Sequence, residues 1–110
     1  MTEIRVAEYL ESSGRSPFRR WFDNLDATAA AKVSTALYRL GQGNFSNVEG
    51  VGSGVFEYRI DFGPGYRVYF GKDGPTFVIL LGGGTKKRQS RDISDAADAW
   101  IDYKRRKPTR

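Results

Sequence analysis

The sequence predicts an α+β domain with the element order β-α-α-β-β-β-α: an antiparallel meander sheet with two N-terminal helices on one face, followed in the chain by a C-terminal helix. Three features predict it. Apolar residues recur at helical spacing from Phe18 to Leu40, alternate strictly between Val55 and Phe70, and return to helical spacing from Ile93 onward. Strands that follow one another through tight turns pair antiparallel, which excludes a doubly wound parallel sheet.

Each element has a local cause. Ile4, Val6 and Leu10 fall on one side of a first strand. Ser13-Gly14-Arg15 makes a turn, Ser16 is placed to cap a helix, and Pro17 suits its first position. Phe18, Trp21, Phe22 and Leu25 form the apolar stripe of that helix. Asp26 caps a second helix with the stripe Ala29, Val33, Ala36, Leu37 and Leu40, and Gly41-Gln42-Gly43 ends it. Residues 43–54, rich in Gly, Asn and Ser, predict a surface loop. Val55 to Asp61 and Tyr66 to Phe70 alternate around a Phe62-Gly63-Pro64-Gly65 hairpin turn. Lys72-Asp73-Gly74-Pro75 turns again, and the uniformly apolar Phe77 to Leu81 suits a central strand covered on both faces. Gly82-Gly83-Gly84 then leads to a helix starting near Thr85, with Ile93, Ala96, Ala97, Trp100 and Ile101 on its core stripe. The glycines lack the spacing of a nucleotide-binding P-loop.

The chain of 110 residues is long enough for one domain, 1–110, around one core, with a basic tail over about 104–110 that either complements the last helix's dipole or stays disordered. Cysteine and histidine are both absent, which removes thiolate nucleophiles, histidine bases, the usual zinc ligands and disulfides. No metal or cofactor is expected. No apolar run reaches the roughly 18 residues of a membrane span, so a cytoplasmic protein is expected. The net charge of +5 is uneven: residues 1–85 balance, and the excess of Lys and Arg lies wholly in residues 86–110. Such a basic surface suits a polyanion, most simply nucleic acid.

The hairpin places the chemistry. Phe56, Tyr58 and Ile60 share one face with Tyr66, Val68 and Phe70, leaving Glu57, Arg59, Asp61, Arg67 and Tyr69 on the other. The junction Thr85-Lys86-Lys87-Arg88-Gln89 leaves the central strand beside that second face, where a phosphate can meet Lys86, Arg88 and free backbone N–H groups. Arginine forks bind phosphate oxygens and stay protonated, so Arg59 and Arg67 suit metal-free RNA cleavage by the ribose 2′-hydroxyl. Without histidine the proton carriers left are Tyr69, Glu57 or a lysine such as Lys86. The same charges can also form cross-strand ion pairs on a solvated sheet face. The nuclease reading holds only if Arg59, Arg67 and Tyr69 project into one basic-rimmed hollow.

The sequence resembles the phage-derived addiction-module killer proteins, a HigB-like branch of the RelE/ParE toxin superfamily. The resemblance rests on Ser16-Pro17-Phe18 with Trp21, Phe22 and Leu25, on Gly54 to Asp61, on Gly63 to Phe70, on Leu80 to Gln89, and on Asp92-Ile93, Ala96-Ala97 and Trp100. It implies a RelE-like fold, a compact sheet with helices on one side, in the toxin of a type II toxin–antitoxin pair. The implied activity is metal-free mRNA cleavage on or near the ribosome, arresting translation. The implied partners are mRNA, the ribosome and a cognate antitoxin of helix-turn-helix type. Arg59, Arg67, Tyr69 and Lys86 fall at the places where the family carries its catalytic side chains, with Glu57, Lys87, Arg88, Gln89 and Arg91 around them as RNA- or phosphate-binding residues. Thr85 departs from the Asp that relatives commonly carry before the lysine. The superfamily also contains ParE-like inhibitors that bind DNA gyrase without catalysis, and gyrase is the alternative partner.

Overall fold

A computed structural model describes residues 3–107. The elements are β1 (Arg5–Glu8), α1 (Pro17–Asp23), α2 (Ala27–Gly41), β2 (Val48–Gly52), β3 (Val55–Ile60), β4 (Tyr66–Lys72), β5 (Phe77–Thr85), a 3₁₀ turn (Lys86–Arg88) and α3 (Gln89–Arg106). The class is α+β, as expected. Five strands form one sheet in the order β1-β5-β4-β3-β2. β2 to β5 run antiparallel in succession, whereas β1 lies parallel to β5, so the sheet is mixed and not a simple meander.

The two N-terminal helices start where their caps dictate. Ser16 Oγ accepts from Arg19 N–H at 2.9 Å, and Asp26 Oδ1 accepts from Ala29 N–H at 2.8 Å. Gly43, at φ +83°, takes the left-handed turn that closes α2, its N–H donating to Leu40 C=O at 2.9 Å. Phe18 of α1 and Val33, Ala36 and Leu40 of α2 pack on Tyr58, Val68, Phe70, Val78 and Leu80. Complete burial of Val33 and Leu40 contributes about 1.5–3 kcal/mol each before entropy is counted.

The opposite face is not open. Ala96, Ala99 and Trp100 of α3 pack there on Val55, Tyr69, Ile79 and Leu81. Helices therefore cover both faces, correcting the expectation of helices on one side. The approach is close because glycines permit it: a Cβ at Gly71 would lie 2.5 Å from the Trp100 ring, and one at Gly83 would lie 2.2 Å from the Trp21 ring on the other face. β4 and β5 slip register between Tyr69 and Phe70, and beyond that bulge Gly83 pairs with Val68 and Gly84 with Arg67. The bulge sets which helix each glycine meets, Gly83 facing Trp21 and Gly84 facing Asp92.

Several boundaries differ from expectation. The predicted loop 43–54 contains the edge strand β2, which a Val-Glu-Gly-Val-Gly sequence conceals because glycine weakens the strand pattern. The glycine run does not end β5, which continues to Thr85, and α3 begins only at Gln89. Leu10 lies beyond β1 and is exposed. Ile101 is 45% exposed, and Ala99 takes the core place predicted for it. In the basic tail, Lys104 to Arg106 continue α3, and residues 108–110 lie outside the described residues. Among the described residues no helix is long and apolar enough to cross a membrane.

Candidate functional site

The strand register places like charges side by side. Arg59 faces Arg67 across β3 and β4, and Glu49 faces Glu57 across β2 and β3. Like charges directly opposite repel, and the side chains resolve this diagonally. Arg59 Nη1 pairs with Glu49 Oε1 at 3.3 Å, and Arg67 Nη1 pairs with Glu57 Oε2 at 3.2 Å. The cross-strand ion pairs are therefore real, but the two differ in setting. The Arg59 pair is solvated, where such a bridge is worth about 0–1 kcal/mol. Glu57 is 2% exposed and Arg67 9%, because the start of α3 lies over them. The Gln89 amide completes the cluster: its Nε2 donates to Glu57 Oε1 at 3.1 Å and to Oε2 at 3.4 Å.

Tyr69 departs from its expected place. It is 0% exposed, beneath α3, and its hydroxyl has no hydrogen-bond partner among the described residues. Burial, reinforced by the negative charges of Glu57 and Asp92, pushes the phenol above its ordinary range. The phenol therefore stays neutral and out of reach of a bound polyanion. Asp92 is also pushed up, chiefly by burial of its carboxyl and further by Asp95, against the opposing pull of Arg88 and Arg91.

Arg59, Arg67 and Lys86 do converge. They line one hollow of about 360 Å³ with Asn47, Asp61 and Tyr66. Lys86 is fixed there by the hairpin turn, its backbone N–H donating to Gly65 C=O at 2.9 Å. Gly65, at φ +80°, supplies the turn geometry that an L side chain resists. Lys86 also borders a second hollow of about 480 Å³ along Lys87, Arg88, Gln89, Ser90 and Arg91. No side chain caps either the 3₁₀ turn or α3. A third hollow, of about 310 Å³, shares Asn47, Arg59 and Asp61 with the first and extends to Lys32 and Arg39 of α2. The three share edges, so the cations form one track from α2 across the hairpin to the start of α3.

Of the predicted residues, the structure brings Arg59, Arg67, Lys86, Lys87, Arg88, Gln89 and Arg91 to this track. It withdraws Glu57 into an internal pair with Arg67, which reaches the hollow from a largely buried position, and it withdraws Tyr69 into the core. The sequence reading passed over Lys32 and Arg39 and gave Asp61 no more than a place in an ion pair. A signal existed: Lys32, Thr35 and Arg39 recur at three- and four-residue spacing on α2, off its apolar stripe. A separate hollow of about 330 Å³ between Pro17, Tyr9 and α3 is lined by Glu11, Asp95 and Asp98 and repels a polyanion. Among the described residues no group of three or more acidic, His or Cys side chains could hold a metal ion.

No family model matches the chain. An uncharacterized protein from Haemophilus influenzae is 44% identical over 80 residues, covering 72% of this chain and 81% of that protein.

Proposed function

The chain belongs to the same family as that Haemophilus influenzae protein, and we propose that it is a toxin of the RelE/ParE type, an endoribonuclease that cuts mRNA at the ribosome and is held in check by a cognate antitoxin. The observation that carries this reading is the continuous cationic track, in which Arg59, Arg67 and Lys86 share one hollow and basic residues extend it in both directions. A track of this kind binds successive phosphates of a single strand, and it is edged by the half-buried Tyr66. The fold supports this reading only through its class, an α+β domain with a mixed five-stranded sheet and three helices. Tyr69 is buried away from the hollow, so the expected convergence of Arg59, Arg67 and Tyr69 fails at the phenol, and the reading rests on Arg59, Arg67 and Lys86 without it.

The experiment is a short induction in growing cells followed by mapping of transcript 5′ ends. The wild-type chain is expected to create new ends inside coding regions, and a variant carrying Arg59→Ala with Lys86→Ala is expected to create none. Both side chains are exposed, so the variant keeps its fold. Intact messages during growth arrest overturn the reading. The buried phenol favours a second reading, a gyrase-binding toxin without chemistry, since two of the expected proton carriers, Tyr69 and Glu57, are withdrawn from the surface. Blocked supercoiling by the purified chain, with messages untouched, distinguishes it.

A further inference from the structure

We propose that Asp61 is the general base of the cleavage reaction, an assignment that rests on the nuclease reading. The withdrawal of Glu57 and Tyr69 leaves Lys86 as the one expected proton carrier at the surface of the cationic track, with no expected base beside it. Asp61 ends the alternating strand on the same face as Arg59, one residue past β3, and its side chain is exposed. It lines both the hollow of Arg67 and Lys86 and the hollow of Lys32 and Arg39. No other acidic side chain lines either hollow or the one beyond Lys86. Among the described residues Asp61 makes no ion pair, although Arg59 next to it is paired with Glu49.

A lone unpaired carboxylate in a groove that binds polyanions is unfavourable for binding. Its repulsion of phosphate weakens the ground-state complex, so its place there calls for a role in the reaction. The step balances with the side chains of the track. The Asp61 carboxylate takes the proton of the ribose 2′-hydroxyl as that oxygen bonds to phosphorus. The bond from phosphorus to the 5′-oxygen breaks, and the Lys86 ammonium gives a proton to the leaving oxygen. A 2′,3′-cyclic phosphate remains on the upstream fragment, and both side chains exchange protons with water afterwards. Arg59 and Arg67 hold the charge on the phosphoryl oxygens.

The test uses the purified full chain with one short mRNA, supplied free and bound on purified ribosomes. Asp61→Asn is expected to lower kcat by about 10²–10⁴-fold with KM unchanged or lowered, and Asp61→Glu to recover part of the rate. The acidic limb of the pH–rate profile is expected to vanish in Asp61→Asn, a change that a merely structural role would not produce. Melting temperature is expected to stay at the wild-type value, because the side chain is exposed and unpaired. Wild-type kcat and pH profile in Asp61→Asn, or a loss expressed only as raised KM, overturn the assignment while leaving the nuclease reading intact. A wild-type chain that cuts neither form of the mRNA overturns both.

Discussion

The two ends of α3 meet the sheet by opposite means. At the C-terminal end Trp100 lies against Gly71 and Gly54, where any Cβ would collide with its ring. Tyr103 and Lys107 both donate to the Asp73 carboxylate, at 2.6 and 2.7 Å, and Tyr9 donates to Asp102 at 2.6 Å. Arg106 reaches the Leu10 carbonyl. At the N-terminal end the contact is polar: Gln89 binds Glu57, Glu57 binds Arg67, and three buried atoms, Arg67 Nε, Tyr69 OH and Asp92 Oδ2, lack partners among the described residues. Each such atom costs about 1–3 kcal/mol of desolvation. One end therefore holds the helix to the sheet, and the other is destabilised where it borders the cationic track. That division puts the less stable end of the helix beside the cationic track.

The largest effect expected from breaking this division is at the holding end. Trp100, 6% exposed, is the largest side chain at that end, and Trp100→Ala is expected to lower unfolding stability by about 3–5 kcal/mol. Urea denaturation checks it. A loss comparable to that of an exposed alanine substitution would mean that α3 is held mainly from its other end.

The next effect concerns the buried pair. Glu57→Ala leaves the Arg67 guanidinium buried without its partner, and is expected to cost about 3 kcal/mol. The double replacement Glu57→Met with Arg67→Met is expected to restore most of that stability, since two apolar groups need no compensation. A double variant as unstable as the sum of the singles would show that the pair is not coupled and that the polar end is merely a second anchor.

This contrast also explains what the sequence disclosed. Helix caps at Ser16 and Asp26, the hairpin at residues 62–65 and the sides taken by Tyr58 and Val68 follow from local chemistry, and local chemistry is written in adjacent residues. Alternation says which residues share a face, but not what covers that face. Glu57, Arg67 and Tyr69 read as a solvated surface because three polar residues stand together there. The countersignal was on β5, where Ile79 and Leu81 point to the same side as Tyr69 and require a cover. The triple glycine likewise gave no hint that Gly83 admits Trp21 and Gly84 admits Asp92, since both depend on partners distant in sequence. At the site, Arg59 and Lys86 were legible from their strand and junction; the importance of Asp61 emerged only when its rivals proved buried.

A smaller change separates stability from function at the polar end. Tyr69→Phe removes a buried hydroxyl that has no partner, and is expected to raise stability by about 1 kcal/mol. On the nuclease reading, cleavage of mRNA is expected to continue at the wild-type rate, since the ring stays in place and the hydroxyl is out of reach. A thermal melt measured beside a cleavage assay reads both quantities. Loss of cleavage with stability gained would return the phenol to the reaction and require that the start of α3 lift away.

The smallest effect is the one with a sign that depends on pH. Burial holds the Asp92 carboxyl above its ordinary range, so the folded chain binds its proton more tightly than the unfolded chain does. The stabilisation from protonation is therefore fully present below the unfolded value and lost as pH rises through the folded one. At neutral pH the ionised group opposes folding, and Asp92→Asn is expected to exceed the wild type by less than about 1 kcal/mol. That gap is expected to close as pH falls through the carboxylate range. Glu8 works in the opposite direction: burial alone would raise its carboxyl, but the hydrogen bonds from Arg19 (at 2.6 Å) and Ser16 and the Arg19 charge together outweigh it and lower it, so its contribution is lost on acidification. The total pH dependence mixes the two, and only the difference between wild type and Asp92→Asn isolates the polar end of α3. A difference that stays constant from neutral to acid pH would mean that the Asp92 carboxyl is solvated, and that the start of α3 lies less closely on Gly84 than the structure has it.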